Sequence, residues 1–369
     1  MKIDTLKNLA NFIGSGCTPS RKNISYWNSK DVLWLKTEQL GEYKITSTSE
    51  YISHNAVTEC NLRIYPKNTI SVAMYGEGKT RGNVSLLGAP MTTNQACCNI
   101  EIDDTKIDYR YVYYYLKGQY ENLRQMSAGV RKNLNADDIK NFIIRYPEDK
   151  VTQKKIAALL GALDDKIALN KKINATLEAM VKTLYMHEFF RKPPNGKLGD
   201  VIIENPKSTI PVGAAKLSVG KFPFFTSGDS VLSWTDSLVD GRNIFLNTGG
   251  NAGIKFHVGK AAYSTDTWCI AAENLTDYLY LLLKIVEPEL DKKFFQGTGL
   301  KHLQKPLLKE REIYIPTKTE REKFNAIVQP CFTKISANVR ESRRLAELRD
   351  WLLPMLMNGQ IKFKETDLE

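Results

Sequence analysis

Between Val151 and Phe189 the apolar residues Ile156, Leu160, Leu163, Ile167, Leu177, Val181 and Leu184 recur at alternating steps of four and three. That spacing lines one narrow face of a long helix. A seam of this kind needs a partner, and the chain supplies one about 168 positions later, where Phe324, Val328, Cys331, Ile335, Leu345 and Leu352 repeat the steps between Glu320 and Met357. Both seams turn polar in the middle, at Asn170 and Asn174 in the first and at Asn338 and Ser342 in the second. Antiparallel packing sets centre against centre, where these groups either satisfy one another and fix the register or leave a wet gap as the helices splay. At about 35 residues each helix would span roughly 50 Å. A rigid antiparallel pair of that length predicts two globular units held apart about an approximate two-fold axis.

The segments that the helices separate carry a different pattern. Short apolar or alternating runs at Val32 to Leu35, Ile70 to Met74 and Val84 to Leu87, punctuated by Gly, Asn and Ser, predict strands. A helix is expected near Tyr109 to Gln125, then a loop Ser127 to Lys132 and an apolar run at Phe142 to Ile144 that stops at Pro147. The second half repeats this order: Lys197 to Asn205 opens it, Lys255 to Tyr263 and Cys269 to Ala271 predict strands, and Tyr278 to Ile285 predicts the helix. The period is far too long for a solenoid, so the chain is a duplicated unit. Thr93 and Asn94 are matched to Thr265 and Asp266, Asp108 and Tyr109 to Asp277 and Tyr278, Gly129 to Gly299, Leu134 to Leu303, and Pro147 to Pro316. The expected fold class is α+β: two mixed α/β domains separated by a pair of long antiparallel coiled-coil helices, with pseudo-two-fold internal duplication. The boundaries read as domain 1–148, helix 149–190, domain 191–317, and helix with tail 318–369.

Composition adds the partner class. With 369 residues and 42% hydrophobic content there is material for two cores. The net charge of +11, from 52 Lys and Arg against 41 Asp and Glu, favours a polyanionic partner. The six cysteines form no Cys-x-x-Cys pair and have no His at zinc-ligand spacing, so they read as reduced thiols with no metal site. The N-terminus lacks a signal-peptide apolar core and no run approaches the roughly 20 residues that span a bilayer, so a soluble, cytoplasmic protein is expected.

Most candidate chemistry fails on its context. Ala73 to Thr80, AMYGEGKT, nearly matches a phosphate loop, but Ala73 replaces the first glycine and the following RGNVSLLGAP reads as turn and strand, leaving no helix to receive a phosphate. What survives is a glycine-flexed turn projecting Lys79 and Arg81, or else an ordinary solvated turn. His54, His187, His257 and His302 are scattered and read as surface or core-edge residues, with no Ser or Cys in a nucleophile setting. The acidic pairs Asp103/Asp104, Asp137/Asp138 and Asp164/Asp165 are better explained as helix caps or solvated faces than as acid/base pairs. With no nuclease carboxylate cluster, cofactor glycine fingerprint or amino-methyltransferase tetrad, the chain reads as non-catalytic.

Binding remains. Ser20, Arg21 and Lys22 follow Thr18 and Pro19; Thr92, Thr93, Asn94 and Gln95 cluster; Arg131, Lys132 and Asn133 follow a glycine. The second half offers Thr226, Ser227 and Gly228, then Lys255, then Thr265, Asp266 and Thr267, then Lys301 and His302. Arg and Lys suit phosphates and guanine edges while Asn and Gln pair with adenine, so such loops suit direct readout of a duplex. Any one of these residues is better explained as ordinary loop polarity; the case rests on their recurrence in both units.

The opening LKNLANFIGSGCTPSRKNISYWNSKDVLWLKTEQL, with Gly16, Thr18, Pro19, Ser20, Tyr26, Trp27 and Trp34 in order, resembles the start of a target-recognition domain of type I restriction-modification specificity subunits. KFPFFTSGDS (Lys221 to Ser230) and TGGNAG (Thr248 to Gly253) resemble a second such domain, and the two helices, with the ending LLPMLMNGQI, resemble that family's helical regions. The resemblance implies that each domain reads one half of a split DNA sequence and that the helix pair sets the gap between halves. It further implies docking of two methyltransferase subunits and, in some assemblies, restriction subunits. S-adenosylmethionine, ATP and Mg would then belong to those partners, with no cofactor in this chain. Trp27 and Trp34 are assigned to the core. Two other readings stay open: an enzyme acting on DNA alone, and a coiled-coil adaptor binding only proteins.

Overall fold

The computed structural model describes residues 1–76, 78–126, 133–297, 299–361 and 363. The expected loop at Ser127 to Lys132, with Arg131 and Lys132, lies outside the described residues. The chain divides into two compact units, Met1–Ile167 with Arg344–Glu369, and Ala168–Arg343.

In the first unit a five-stranded sheet runs in the order Ala10–Ser15, Cys97–Ile102, Ile70–Ala73, Val84–Leu87, Lys44–Ile45. All neighbours are antiparallel except the short edge strand Lys44–Ile45. The helix Tyr109–Gly118 covers one face, burying Tyr111 to Leu116. Asp108 starts that helix by accepting the amides of Arg110 and Tyr111 at 2.9 and 3.1 Å, two donors that helix geometry leaves unmatched. A smaller sheet, Glu50–Ile52, Val32–Leu35, Thr92–Thr93, joins its last two strands in parallel. The strand Lys2–Thr5 pairs with Ile143–Tyr146 to tie the ends of the domain together.

The second unit repeats this topology. Its larger sheet runs Ile203–Glu204, Thr267–Ala271, Arg242–Asn247, Ile254–Val258, and its smaller one Val231–Trp234, Phe222–Phe225, Ala262–Tyr263 with the same parallel pairing. Gly196–Lys197 pairs with Glu312–Ile313 and the helix is Thr276–Ile285. The run expected as one strand over Lys255 to Tyr263 is broken at Gly259, whose φ of +114° suits glycine. One match between the halves needs correction. Asn94 N donates to Leu35 O just as Ser264 N donates to Phe225 O, so the equivalents of Thr93 and Asn94 are Tyr263 and Ser264. Strand register sets the match, and the Thr265-Asp266 pair only resembled it in composition.

The long helices are Lys150–Glu188 and Lys318–Met357, 39 and 40 residues. Asp149 caps the first through the amides of Val151 and Thr152; Thr317 and Glu320 form a reciprocal capping box at the second. Inside the second unit the helix segments run antiparallel, with Asn170 Nδ2 bonded to Ser342 Oγ at 3.2 Å and Asn338 Nδ2 to Asn174 Oδ1 at 2.8 Å. The polar centre is therefore paired. Along the seam Ile156, Leu160, Val181, Phe324, Val328, Cys331, Asn170 and Asn338 are buried, while Leu163, Ile167, Leu177, Ile335, Leu345 and Leu352 are half-buried.

Two expectations fail where a domain packs on a second side of the helices. Asp165 is exposed, but Asp164 is 3% exposed, accepting from Tyr114 Oη at 2.9 Å and paired with Arg349. It is a buried ion and not part of a solvated face. His257, read as a surface or core-edge residue, is buried beside Phe225. Among the described residues no helix is long and apolar enough to cross a membrane.

Candidate nucleic-acid interface

Each unit carries a cleft where the first strand of its larger sheet ends. In the first unit, Ala10–Ser15 runs on into Gly16 and Cys17, whose amides donate to Cys97 O at 3.2 Å and Thr93 O at 2.9 Å. A Cβ on Gly16 would lie 2.1 Å from Thr93 O, so only glycine allows this approach. The resulting cleft, about 420 Å³, is lined by Cys17, Asn61, Arg63, Thr92 and Thr93. Arg63 is held in place by a two-pronged bond to Glu101, both contacts 2.9 Å, and stacks 4.1 Å over Phe12.

The second unit has a cleft of about 340 Å³ at the corresponding strand end, after Ile203–Glu204. Asn205 N donates to Cys269 O at 3.0 Å and Thr265 N to Ile210 O at 3.0 Å. Thr248, Thr265, Asp266, His302 and Lys305 line it. The Lys305 ammonium sits 4.9 Å over the Trp268 ring, and burial pushes its pKa down. Trp268 in turn donates to Glu204 at 2.7 Å, and Glu204 also binds Lys309.

The structure treats the candidate residues unequally. Arg21 is exposed yet oriented, 3.5 Å over Trp27 and 4.9 Å over Trp34, with Glu50 at 2.5 Å; Lys22 and Ser20 beside it are exposed. Trp34 is buried and Trp27 half-buried. Thr93 is buried and accepts from Asn99 at 2.7 Å, Asn94 is half-buried, and Gln95 is exposed and bonded to Thr18. Lys79 and Arg81 lie in a separate basic corner: Arg81 donates to Arg124 O at 3.1 Å, and Arg124 donates to Gly78 O at 3.0 Å.

In the second unit Lys255 braces the fold, donating to Thr226 O at 2.9 Å and Asn247 Oδ1 at 3.0 Å. Thr226 is buried with its hydroxyl on Ser230 O, and Ser227 Oγ accepts from Thr248 N at 2.9 Å. Lys301 is 3.6 Å from Asp291 and His302 is exposed at the cleft rim. The second cleft thus unites Thr265 and His302 with Lys305, which sequence pattern did not single out. Arg63 and Arg124 were missed as well, because isolated basic residues on turns or short helices carry no periodic signal.

Comparison with known proteins places these clefts in context. A family profile described as "Type I restriction modification DNA specificity domain" matches residues 1–179 and 195–344. The type I restriction enzyme MjaIX specificity subunit of Methanocaldococcus jannaschii is 27% identical, over 96% of this chain and 92% of its own. The EcoR124I/EcoR124II specificity subunit of Escherichia coli is 23% identical over 43% of this chain and 40% of its own. In fold, the crystal structure of a type I restriction-modification S subunit from M. genitalium is similar, with a TM-score of 0.64 at 18% identity, covering 96% of this chain and 95% of that one.

Proposed function

The chain belongs to the type I restriction-modification specificity subunits, and from that premise we propose how its parts divide the work. It is a non-catalytic subunit that recognises a DNA target and assembles a restriction-modification complex. In our reading each unit reads one half of a bipartite duplex site through its cleft, and the long helices carry two methyltransferase subunits, with restriction subunits joining in turn. S-adenosylmethionine serves the methyltransferases, and ATP and Mg the restriction subunits. The complex works in the cytoplasm.

The observation that carries this reading is the recurrence of one cleft at one topological position, built from different side chains. Repetition of place suits two half-sites; divergence of lining suits two different sequences. Base edges would meet Asn94 and Gln95, which follow the cleft residue Thr93 in sequence, in one unit and Thr265, His302 and Lys305 in the other. Arg21, Lys22, Lys79, Arg81 and Lys301 supply phosphate contacts, which orient the duplex without reading it. Arg131 and Lys132 join that set by charge alone.

The test is genomic. Methylated bases are mapped in cells carrying the native gene, no copy, and a copy whose residues 1–148 come from another member of the family. The exchange is expected to change one half of the methylated sequence and leave the other intact. An unchanged sequence would sink the division of labour proposed here.

A further inference from the structure

The two most exposed large apolar side chains among the described residues stand together on the second unit: Leu217 is 90% exposed and Val219 95%. They follow the short helix Val212–Lys216 and lead into the strand Phe222–Phe225. Both ends of this turn are fixed. Ala215 is buried against Phe224 and Ala262, and the amides of Leu217 and Ser218 donate to Ala214 O at 3.2 Å and Ala215 O at 3.3 Å. At the other end a Cβ on Gly220 would lie 2.0 Å from the Trp234 carbonyl, so only glycine allows that approach. Gly220 N donates to Ser233 Oγ at 3.2 Å, and Gly220 O accepts from Arg343 at 2.7 Å. Residues 216–219 thus form a stiff prong whose apolar tips face solvent.

A lone exposed Leu needs no explanation; a pair on an anchored turn does, and its surroundings select a polyanion. The segment 206–221 holds Lys207, Lys216 and Lys221 and no carboxylate, and all three lysines are exposed. It is also continuous with the cleft: Lys207 lines it, and Ile210 O accepts from the cleft residue Thr265 at 3.0 Å. The first unit is built differently here. Aligning Leu35 with Phe225, as their matching backbone bonds require, puts Trp27 and Ser29 at these two positions, and Trp27 is half-buried beneath Arg21. A duplex offers a basic, apolar-tipped prong one apolar surface, the faces of its stacked bases, with phosphates on either side. We propose that Leu217 and Val219 form a wedge that enters the base stack beside the half-site met by the second unit, with Lys216 and Lys221 on the flanking phosphates. The inference rests on the half-site reading proposed above and adds a deformation of the DNA at a step that no base-reading side chain need touch. Because the cost of opening a step depends on its sequence, the wedge favours an easily unstacked pyrimidine–purine step at that place.

The test uses the full-length chain assembled with its methyltransferase subunit, and duplexes carrying the sequence that genomic mapping returns. Aminopurine, a fluorescent adenine analogue that brightens when it leaves the stack, is placed at successive positions in and beside the second half-site, the methylated base excepted. Leu217→Ser with Val219→Ser removes the tips at exposed positions; Leu217→Met with Val219→Ile keeps them apolar. The wild type is expected to brighten the analogue at one step. The first variant should lose that signal and bind the duplex roughly tenfold more weakly, and the second should restore both. No signal at any position with the wild type, or an equal signal with the first variant, would overturn the wedge while half-site discrimination persists. A changed sedimentation mass in the first variant with the signal intact would overturn it in favour of a protein contact. If the wild-type complex binds this duplex no better than one of scrambled sequence, the half-site reading itself fails, and the wedge with it.

Discussion

The two ends of the helix pair solve one packing problem with opposite chemistry. In the first unit Asp164 is buried between Tyr114 and Arg349, with Lys117 at 4.0 Å. Matching the seams at their 168-residue offset puts Phe332 where Asp164 stands and Val181 where Arg349 stands, and the domain helices put Leu283 opposite Tyr114. All three are buried in one apolar cluster, Phe332 with ring contacts of 4.8 Å to Phe256 and 5.3 Å to Tyr280. The duplication preserved the geometry of the contact while leaving its polarity free to drift. A buried ion pair is costly to desolvate and costlier to break, whereas an apolar cluster depends on volume alone.

Breaking the ionic end should produce the largest effect. Arg349→Met leaves the buried Asp164 only the more distant Lys117, at 4.0 Å, as a cation and is expected to destabilise the first unit by about 3–5 kcal/mol. Transplanting the other end, Asp164→Phe with Arg349→Val and Tyr114→Leu, should bring stability back to within about 1 kcal/mol of the wild type or above it. Hydrogen exchange at the helix amides reads each unit separately. If the transplant is as damaging as Arg349→Met, the two ends are not interchangeable and the comparison fails. At the apolar end Phe332→Ala should cost about 3 kcal/mol, confined to the second unit.

That contrast also marks how far the sequence could be read. Periodicity exposed both helices and the strands Val32–Leu35 and Val84–Leu87, because each depends on neighbours a few residues apart, and the recurrence of the same pattern about 168 positions later exposed the duplication. It placed Asn170 and Asn174 opposite Asn338 and Ser342 for the same reason. Asp164 was invisible to it: a seam describes one face of a helix, whereas the residues that bury Asp164 come from 50 and 185 positions away. The clefts were half legible. Thr265 stands in a turn and His302 at the start of the short strand His302–Leu303, both in polar stretches whose composition announced them, but Lys305 gains its place from Trp268, and Lys255 looked available until the fold set it on Thr226 and Asn247.

The second unit holds two buried titrating groups with opposed pH dependence. Burial pushes the Asp277 carboxyl up to about 6 despite Arg242. The native state therefore holds its proton more tightly than the unfolded chain, and stability falls as pH rises from about 4 to about 6. Burial, helped by Arg340, pushes the His257 imidazole down to about 4. There the unfolded chain binds the proton more tightly, and stability falls as pH drops from about 6.5 to about 4. The slopes offset each other, each worth on the order of 2–3 kcal/mol. Asp277→Asn should uncover a second unit that weakens toward acid, and His257→Gln one that weakens toward neutrality. Chemical denaturation across pH 4 to 7 checks both signs; parallel profiles for the two variants would refute the assignment.

The smallest expected effect lies at the centre of the seam, where polarity persists without a domain to explain it. Asn338 donates to Asn174 at 2.8 Å, yet the Oδ1 atoms of Asn338 and Asn170 are buried with no hydrogen-bond partner among the described residues. A pairing that leaves two acceptors unmatched is a poor source of stability, since each unsatisfied group offsets what the bond contributes. Its value is register. Sliding one helix past the other by a turn would bury these amides against Leu or Ile, while an all-apolar seam would tolerate the shift. Asn338→Leu should therefore change stability by no more than about 1 kcal/mol, and in the stabilising direction. It should also broaden the alignment of the segment, read as loss of a single preferred cross-link between cysteines placed at Thr176 and Lys334. A variant that is clearly destabilised, with one alignment retained, would show that Asn338 holds the helices together and does not position them.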